Sequence, residues 1–238
     1  MPMPAPAHAT SATLALRTGA AIALVLAWDA SGLDLPLARL SGGPAGFALH
    51  GHWLLTRVLH DGAKSAAWLL VLALCIGIWW PWAWLQRLPT DRRIQLATGT
   101  LLAVFSVSTL KSLSTVSCPW DLAGFGGVVG YSSHWSHLFR PDGGSGQCFP
   151  AGHASSGFAF VGGYFAFRDV WPGLARRWLA VAMATGLLLG LAQQLRGAHF
   201  MSHTLWTGLV CWCVCWAVDA VRRHLRTHPT STVTGSTS

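Results

Sequence analysis

The sequence predicts an all-α polytopic membrane protein, a bundle of six transmembrane helices. Hydrophobic residues fill 52% of the 238 positions and charged residues only 10%, a balance that suits a bilayer better than a water-soluble globule. Residues 66–84, 94–110 and 178–195 carry no charged side chain, and each approaches the roughly 20 residues that a spanning helix needs. Tryptophans gather at the ends of such stretches, with Trp79, Trp80, Trp82 and Trp84 at one and Trp171 and Trp178 near another, where interfacial anchors belong.

Each element follows from composition in turn. Residues 1–12 have little to bury and are expected to be disordered. The first span covers 9–28 and is interrupted by Arg17; with one basic residue and no small-residue cleavage pattern it reads as a span and not as a leader. Residues 29–64 form an outer segment. Within it, the spacing of Leu49, Trp53, Leu54 and Val58 predicts an interfacial amphipathic helix over 47–60, with His50, His52 and His60 read as surface residues. The second and third spans, 66–84 and 94–110, are joined by the short basic connection 86–93.

The longest connection, 111–153, is rich in glycine and polar residues, and polar loops of this length usually carry function. The fourth span, 153–167, is short and weakened by Gly162 and Gly163, although glycine is tolerated where helices pack closely. Residues 178–195 and 200–218 make the fifth and sixth spans, and the tail 227–238 is expected to be disordered. One membrane domain, 13–226, accounts for the rest.

Six crossings put both ends on one side, and the basic residues choose it. Ten of the 16 Lys and Arg residues, Arg17 and Arg87 to Arg93 among them, fall on the side of the ends, and Arg39, Arg57, Lys64, Lys111, Arg140 and Arg196 on the other. The excess marks the cytoplasmic side. The expectation is a multi-pass protein of a bacterial-type cytoplasmic (inner) membrane, its long loop facing the periplasm or exterior. The net charge of +8 is then a signal of topology and lipid headgroups; no basic stripe or stacking platform points to nucleic acid. Nothing in the sequence names a protein partner.

Two strings at the outer ends of apolar segments carry the chemistry: Cys148-Phe149-Pro150-Ala151-Gly152-His153 and Arg196-Gly197-Ala198-His199-Phe200-Met201-Ser202-His203. An imidazole is a nucleophile or a general acid near neutral pH, and a glycine beside it lets backbone approach a bulky anion. Ionisable groups at a membrane edge are costly, so several of them on three segments point to function. Together they suggest phosphoryl transfer. Cys118 and Cys148 share the outer loop, where an oxidising compartment allows a disulfide, the other reading being two thiols. Cys75, Cys211, Cys213 and Cys215 lie in apolar spans and read as small buried hydrophobes. Asp121 either caps its loop or orients Lys111 or Arg140.

Taken in order, Lys111 with Cys118-Pro119, Pro150-Ala151-Gly152-His153, and the 196–203 string resemble the three motifs of the type 2 phosphatidic acid phosphatase superfamily: K-x6-R-P, P-S-G-H and S-R-x5-H-x3-D. The resemblance covers roughly residues 111–208. Lys111 and Pro119 match the first motif, whose arginine place holds Cys118. Pro150, Gly152 and His153 match the second, with Ala151 at the serine place. His199 falls on the third-motif histidine, His203 on its aspartate place and Gln193 on its arginine place.

The resemblance implies that His199 attacks phosphorus to give a phosphohistidine and that His153 protonates the leaving oxygen. No metal or other cofactor is implied, so Lys111, the Ala151 and Gly152 amides, Arg196 and Arg140 are expected to hold the phosphate. His203, one helical turn beyond His199, is expected to orient the nucleophile. The implied reaction is hydrolysis of a phosphomonoester or pyrophosphate of a lipid at the extracytoplasmic face, the partners being the phosphorylated lipid and the bilayer. The same intermediate also serves lipid-to-lipid phosphotransfer, and a noncatalytic binding or transport protein could keep the fold. The His199/His203 spacing also fits a metal pair.

Overall fold

A computed structural model describes residues 11–137 and 140–227. Both expected disordered ends fall largely outside the described residues. The chain is mostly helical: α1 (Ser11–Ser31), α2 (Asp34–Arg39), α3 (Ala63–Trp79), α4 (Thr90–Leu113), α5 (Ser155–Phe158), α6 (Gly162–Phe167), α7 (Pro172–Leu195) and α8 (Met201–Thr227). Among the described residues, five helices are long and apolar enough to cross a membrane, beginning at Ser11, Leu54, Thr90, Pro172 and Met201. Their faces say the same. Of α3, only Val71, Leu74 and Gly77 are buried, while Leu69, Leu72 and Trp79 stand exposed. Such a surface belongs in hydrocarbon.

The fourth expected span, 153–167, is not a continuous helix. From Gly152 to Phe167 the chain alternates 3-10 and α turns, too short and too broken to count as a spanning helix by length. It nevertheless runs along α4: Gly152 lies against the Lys111 stem, and at the other end the Phe165 carbonyl accepts from Arg92 at 3.2 Å. Unlike α3 it is enclosed, with Phe158, Phe165 and Phe167 fully buried. Glycine explains how it is enclosed. A Cβ on Gly157 would strike the backbone of Gly186 on α7, so two glycines let the segment and α7 meet backbone to backbone.

The amphipathic helix expected over 47–60 is instead a π-helix, Leu54–Gly62, that continues directly into α3. No proline separates the two, and Gly62 keeps helical dihedrals, so the outer segment and the second span form one rod.

α4 and α8 pack most extensively, forming the centre of the bundle. At the ends away from the 111–153 loop a charged network ties them. Asp219, 1% exposed, accepts from Arg168 at 2.6 Å, Gln95 at 2.8 Å and Arg223 at 2.9 Å; Asp169 accepts from Arg92 and Arg223. Buried carboxylates persist only when paired this way.

At the opposite end a second apolar cluster forms a cap: Ala38, Phe47, Leu122, Phe125, Val129 and Phe200. Asp34 joins it to α8 by accepting the Ser202 N–H at 3.0 Å and the Ser202 hydroxyl, which serves an unpaired donor at the helix N-terminus. Asp29 takes the indole N–H of Trp135 at 3.0 Å and of Trp206 at 2.9 Å.

Candidate active site

His199 reaches its place through the end of α7. The Ala198 N–H donates to the Gln193 carbonyl and the Gly197 N–H to the Gln194 carbonyl, each at 2.9 Å, with Gly197 at φ +79°. This is a Schellman termination, which favours glycine at the left-handed position. A side chain at 197 would also strike the Phe47 ring. The stop turns the chain from α7 into α8 within a few residues and leaves His199 between the two helices, 3% exposed.

His199 Nδ1 lies 2.7 Å from the Cys148 carbonyl oxygen. A carbonyl only accepts, so Nδ1 carries the proton and Nε2 keeps its lone pair. Burial pushes the imidazole well below its usual 6.5, and the nearby charges of His203 and Lys111 add to the effect. The ring is neutral near pH 7, with the free lone pair on Nε2.

The neighbouring carbonyl, that of Gln147, accepts from Lys111 Nζ. Two successive residues thus hold the lysine charge and the imidazole together. Cys148 is joined in a disulfide to Cys118, Cα to Cα 5.1 Å, so the strand carrying these carbonyls is tied to the 114–125 loop. Gly152 permits the approach of Lys111, since a Cβ there would stand 3.0 Å from the lysine Cδ. His153 follows on the same turn, and the charges of both Lys111 and His153 bear on His199. A cavity of about 350 Å3 opens beside Lys111 and His153, lined also by Lys64, Ser108 and Ser155.

The other expected residues are placed as follows. Arg196 turns back over α7: its Nη1 donates to Gln193 Oε1 at 2.9 Å and its Nε to the His50 carbonyl at 3.0 Å. The guanidinium from position 196 therefore lies at the side chain that holds the family's arginine place. The Ala151 N–H, expected to face an anion, donates instead to the His203 carbonyl at 3.2 Å, because that turn packs on the first turn of α8. Gly152 opens the 3-10 turn and its N–H has no partner within that turn. Arg140 is exposed on the loop, where its carbonyl lies 3.0 Å from His137 Nδ1.

His203 is fully buried, with its ring centroid 5.9 Å from that of His199. Its Nδ1 has no hydrogen-bond partner among the described residues, and the His199 proton that it was expected to accept goes to Cys148. Asp121 caps its loop, accepting from the Cys118 N–H at 3.1 Å and the Ser145 hydroxyl at 2.6 Å. No group of three or more His, Cys, Asp or Glu side chains among the described residues is arranged to hold a metal.

Two parts of the site carry no motif signal. The Cys148 carbonyl is backbone and invisible to residue patterns. His60, read as a surface residue, lies against His153 with ring centroids 3.5 Å apart, while its Nδ1 pairs with Asp61 at 2.8 Å. The continuous rod of π-helix and α3 brings it there.

Fold and site together define an integral membrane protein that presents a neutral imidazole, a lysine and a second histidine at one end of a helix bundle. The family model of the PAP2 superfamily matches residues 93–226, more than half of the chain, and the chain belongs to that superfamily. The membership bears out the resemblance carried by the three motifs. Searches among curated proteins and among solved structures gave no match. The superfamily generally comprises phosphatases, which makes this chain a membrane member of a phosphatase family.

Proposed function

We propose that the protein is a lipid phosphatase working through a phosphohistidine on His199. One observation carries the reading: successive carbonyls, of Gln147 and Cys148, hold Lys111 Nζ and His199 Nδ1. That pairing sets a positive charge beside an imidazole whose Nε2 is free to attack.

In the first step the Nε2 lone pair forms a bond to phosphorus. The bond from phosphorus to the leaving oxygen breaks, and its electron pair stays on that oxygen, which His153 protonates. The Cys148 carbonyl stabilises the positive ring that develops, as a carboxylate does in other histidine sites. In the second step water attacks phosphorus, the N–P bond breaks with its pair returning to Nε2, and His153 takes the water proton. Lys111, Arg196 and the Gly152 N–H neutralise the phosphoryl oxygens. The Ala151 N–H is committed to His203 and supports the turn; Arg140 would join only by a movement of its loop.

We assign the residues 152–167 as a sixth crossing, within one membrane domain spanning 13–226. The site then faces the periplasm or exterior of a bacterial-type inner membrane, where it meets phosphorylated amphiphiles at the outer leaflet. A phosphate-release screen tests the function with polyprenyl diphosphate, phosphatidylglycerol phosphate, phosphatidate and a lipid A phosphate, with His199→Ala as control. Release from at least one class, abolished in a folded His199→Ala protein, is expected; equal release by that variant would overturn the reading.

A further inference from the structure

A second cavity, of about 630 Å3, opens on the flank of the bundle between α3, the 152–167 segment and α7. Its walls are apolar: Ala67 and Leu70 come from α3, Phe160 stands at the back, and Val181 and Leu189 come from α7. Leu70 and Val181 are 41% and 66% exposed, so the cavity faces the hydrocarbon that such a surface calls for. Along α7 it extends from Arg177 to Leu189, about 18 Å at the helical rise, against about 15 Å for half of a bilayer's hydrocarbon core. One acyl chain of a single leaflet fills that depth.

Charge marks one end of this cavity. Among the described residues Arg177 is its one charged lining residue, and no carboxylate lines it. Arg177 lies near the start of α7, at the end of the bundle away from His199, beside the indoles of Trp84 and Trp178, whose ring centroids are 5.9 Å apart. Most arginines of that end are already engaged. Arg92, Arg168 and Arg223 are held by Asp169 and Asp219, Arg222 and Arg226 by Asp91, and Arg93 by the Gly77 and Ile78 carbonyls. The Arg177 guanidinium is exposed and has no ion pair or hydrogen bond among the described residues. A guanidinium at the interface, at the mouth of a chain-sized apolar slot, suits a lipid phosphate, which it can meet with two parallel N–H donors. With no carboxylate on the wall to balance an ammonium, a net negative headgroup fits better than a zwitterionic one.

We propose that this cavity is a binding site for an anionic phospholipid of the leaflet opposite the His199 site, its phosphate on Arg177 and one acyl chain between α3 and α7. The lipid is not the substrate, because its phosphate lies at the other end of α7 from His199. Its chain nevertheless reaches the site from behind: Ala67, Ser156 and Phe160 line both this cavity and the one beside Lys111 and His153. A bound chain therefore backs the wall of the catalytic cavity.

The test titrates the delipidated full chain in detergent with phosphatidylglycerol, a phosphodiester, and with phosphatidylcholine of the same acyl chains, and counts bound lipid by native mass spectrometry. Phosphatidylglycerol is expected to bind about tenfold more tightly or better. Arg177→Gln should weaken it about tenfold, the scale of a lost hydrogen bond to a charged group, and bring it near phosphatidylcholine. Arg176→Gln, at an exposed neighbour outside the cavity, should leave it unchanged. Val181→Trp, which puts an indole in the path of the chain, should weaken both lipids.

Equal binding of the two lipids, or an equal loss in Arg177→Gln and Arg176→Gln, would overturn the headgroup assignment and the proposal with it. Full phosphatidylglycerol binding in Val181→Trp would exclude the chain from this cavity. A loss in Lys111→Met with none in Arg177→Gln would show a lipid held from the His199 end, which also overturns the proposal. None of these measurements needs turnover, so their failure is distinct from failure of the phosphatase reading.

Discussion

Lys111→Met removes the cation that the Gln147 carbonyl holds beside the proposed nucleophile. Lys111 Nζ contacts the Gln147 carbonyl and, among the described residues, pairs with no carboxylate, so its full charge is available to an incoming anion. A hydrogen bond to a charged group contributes about 1.5–3 kcal/mol; at about 1.4 kcal/mol per tenfold, kcat/KM should fall roughly 10- to 150-fold. The methionine stem keeps the contact with Gly152, which a Cβ would approach at 3.0 Å from the lysine Cδ, so folding should be retained. Phosphate release from detergent-solubilised protein measures the loss, and the thermal unfolding midpoint controls for stability. A fall of less than about threefold with an unchanged midpoint would refute the placement of Lys111 at the phosphate.

The remaining predictions concern the supports of the site. Cys118→Ser opens a bridge with a sequence separation of 30, for which the loop-entropy relation gives about 3–4 kcal/mol of lost stability; an unfolding midpoint insensitive to the change or to reductant would contradict it. His203→Ala should cost less than about tenfold in kcat, because the Cys148 carbonyl at 2.7 Å fixes the His199 tautomer, and a loss near that of His199→Ala would show that His203 does the orienting. Burial holds the His199 imidazole below 6.5. The unfolded chain therefore binds the extra proton first, and stability from this group is complete above about pH 6.5 and is lost as pH falls below it. The unfolding midpoint should drop on acidification over that range, less steeply in His199→Gln; an equal slope in the two proteins would contradict the burial effect.

What the sequence made legible follows from how local each signal is. Uncharged runs at 94–110 and 178–195 become α4 and α7 because no residue within them opposes a helix in a bilayer. His153 and His199 stand out because imidazoles at the ends of apolar segments need a reason to be there. The segment 152–167 reads in the sequence as a glycine-rich stretch, but its close approach to α7 depends on Gly157 meeting Gly186, a pairing between segments. His60 reads as a surface residue because it lies outside the three motifs, and only the uninterrupted rod from Leu54 through α3 carries it to His153. The expected His203 partnership failed for a similar reason: the competing acceptor is a backbone carbonyl, which every residue has and no pattern marks.

The most direct measurement is to trap the intermediate. Purified protein mixed with a substrate labelled in its terminal phosphate, quenched in alkali within milliseconds and digested, should carry a base-stable, acid-labile phosphoramidate on the peptide containing His199, absent in His199→Ala. Turnover with no such label, or with the label on His153, would contradict the assignment of His199 as the nucleophile.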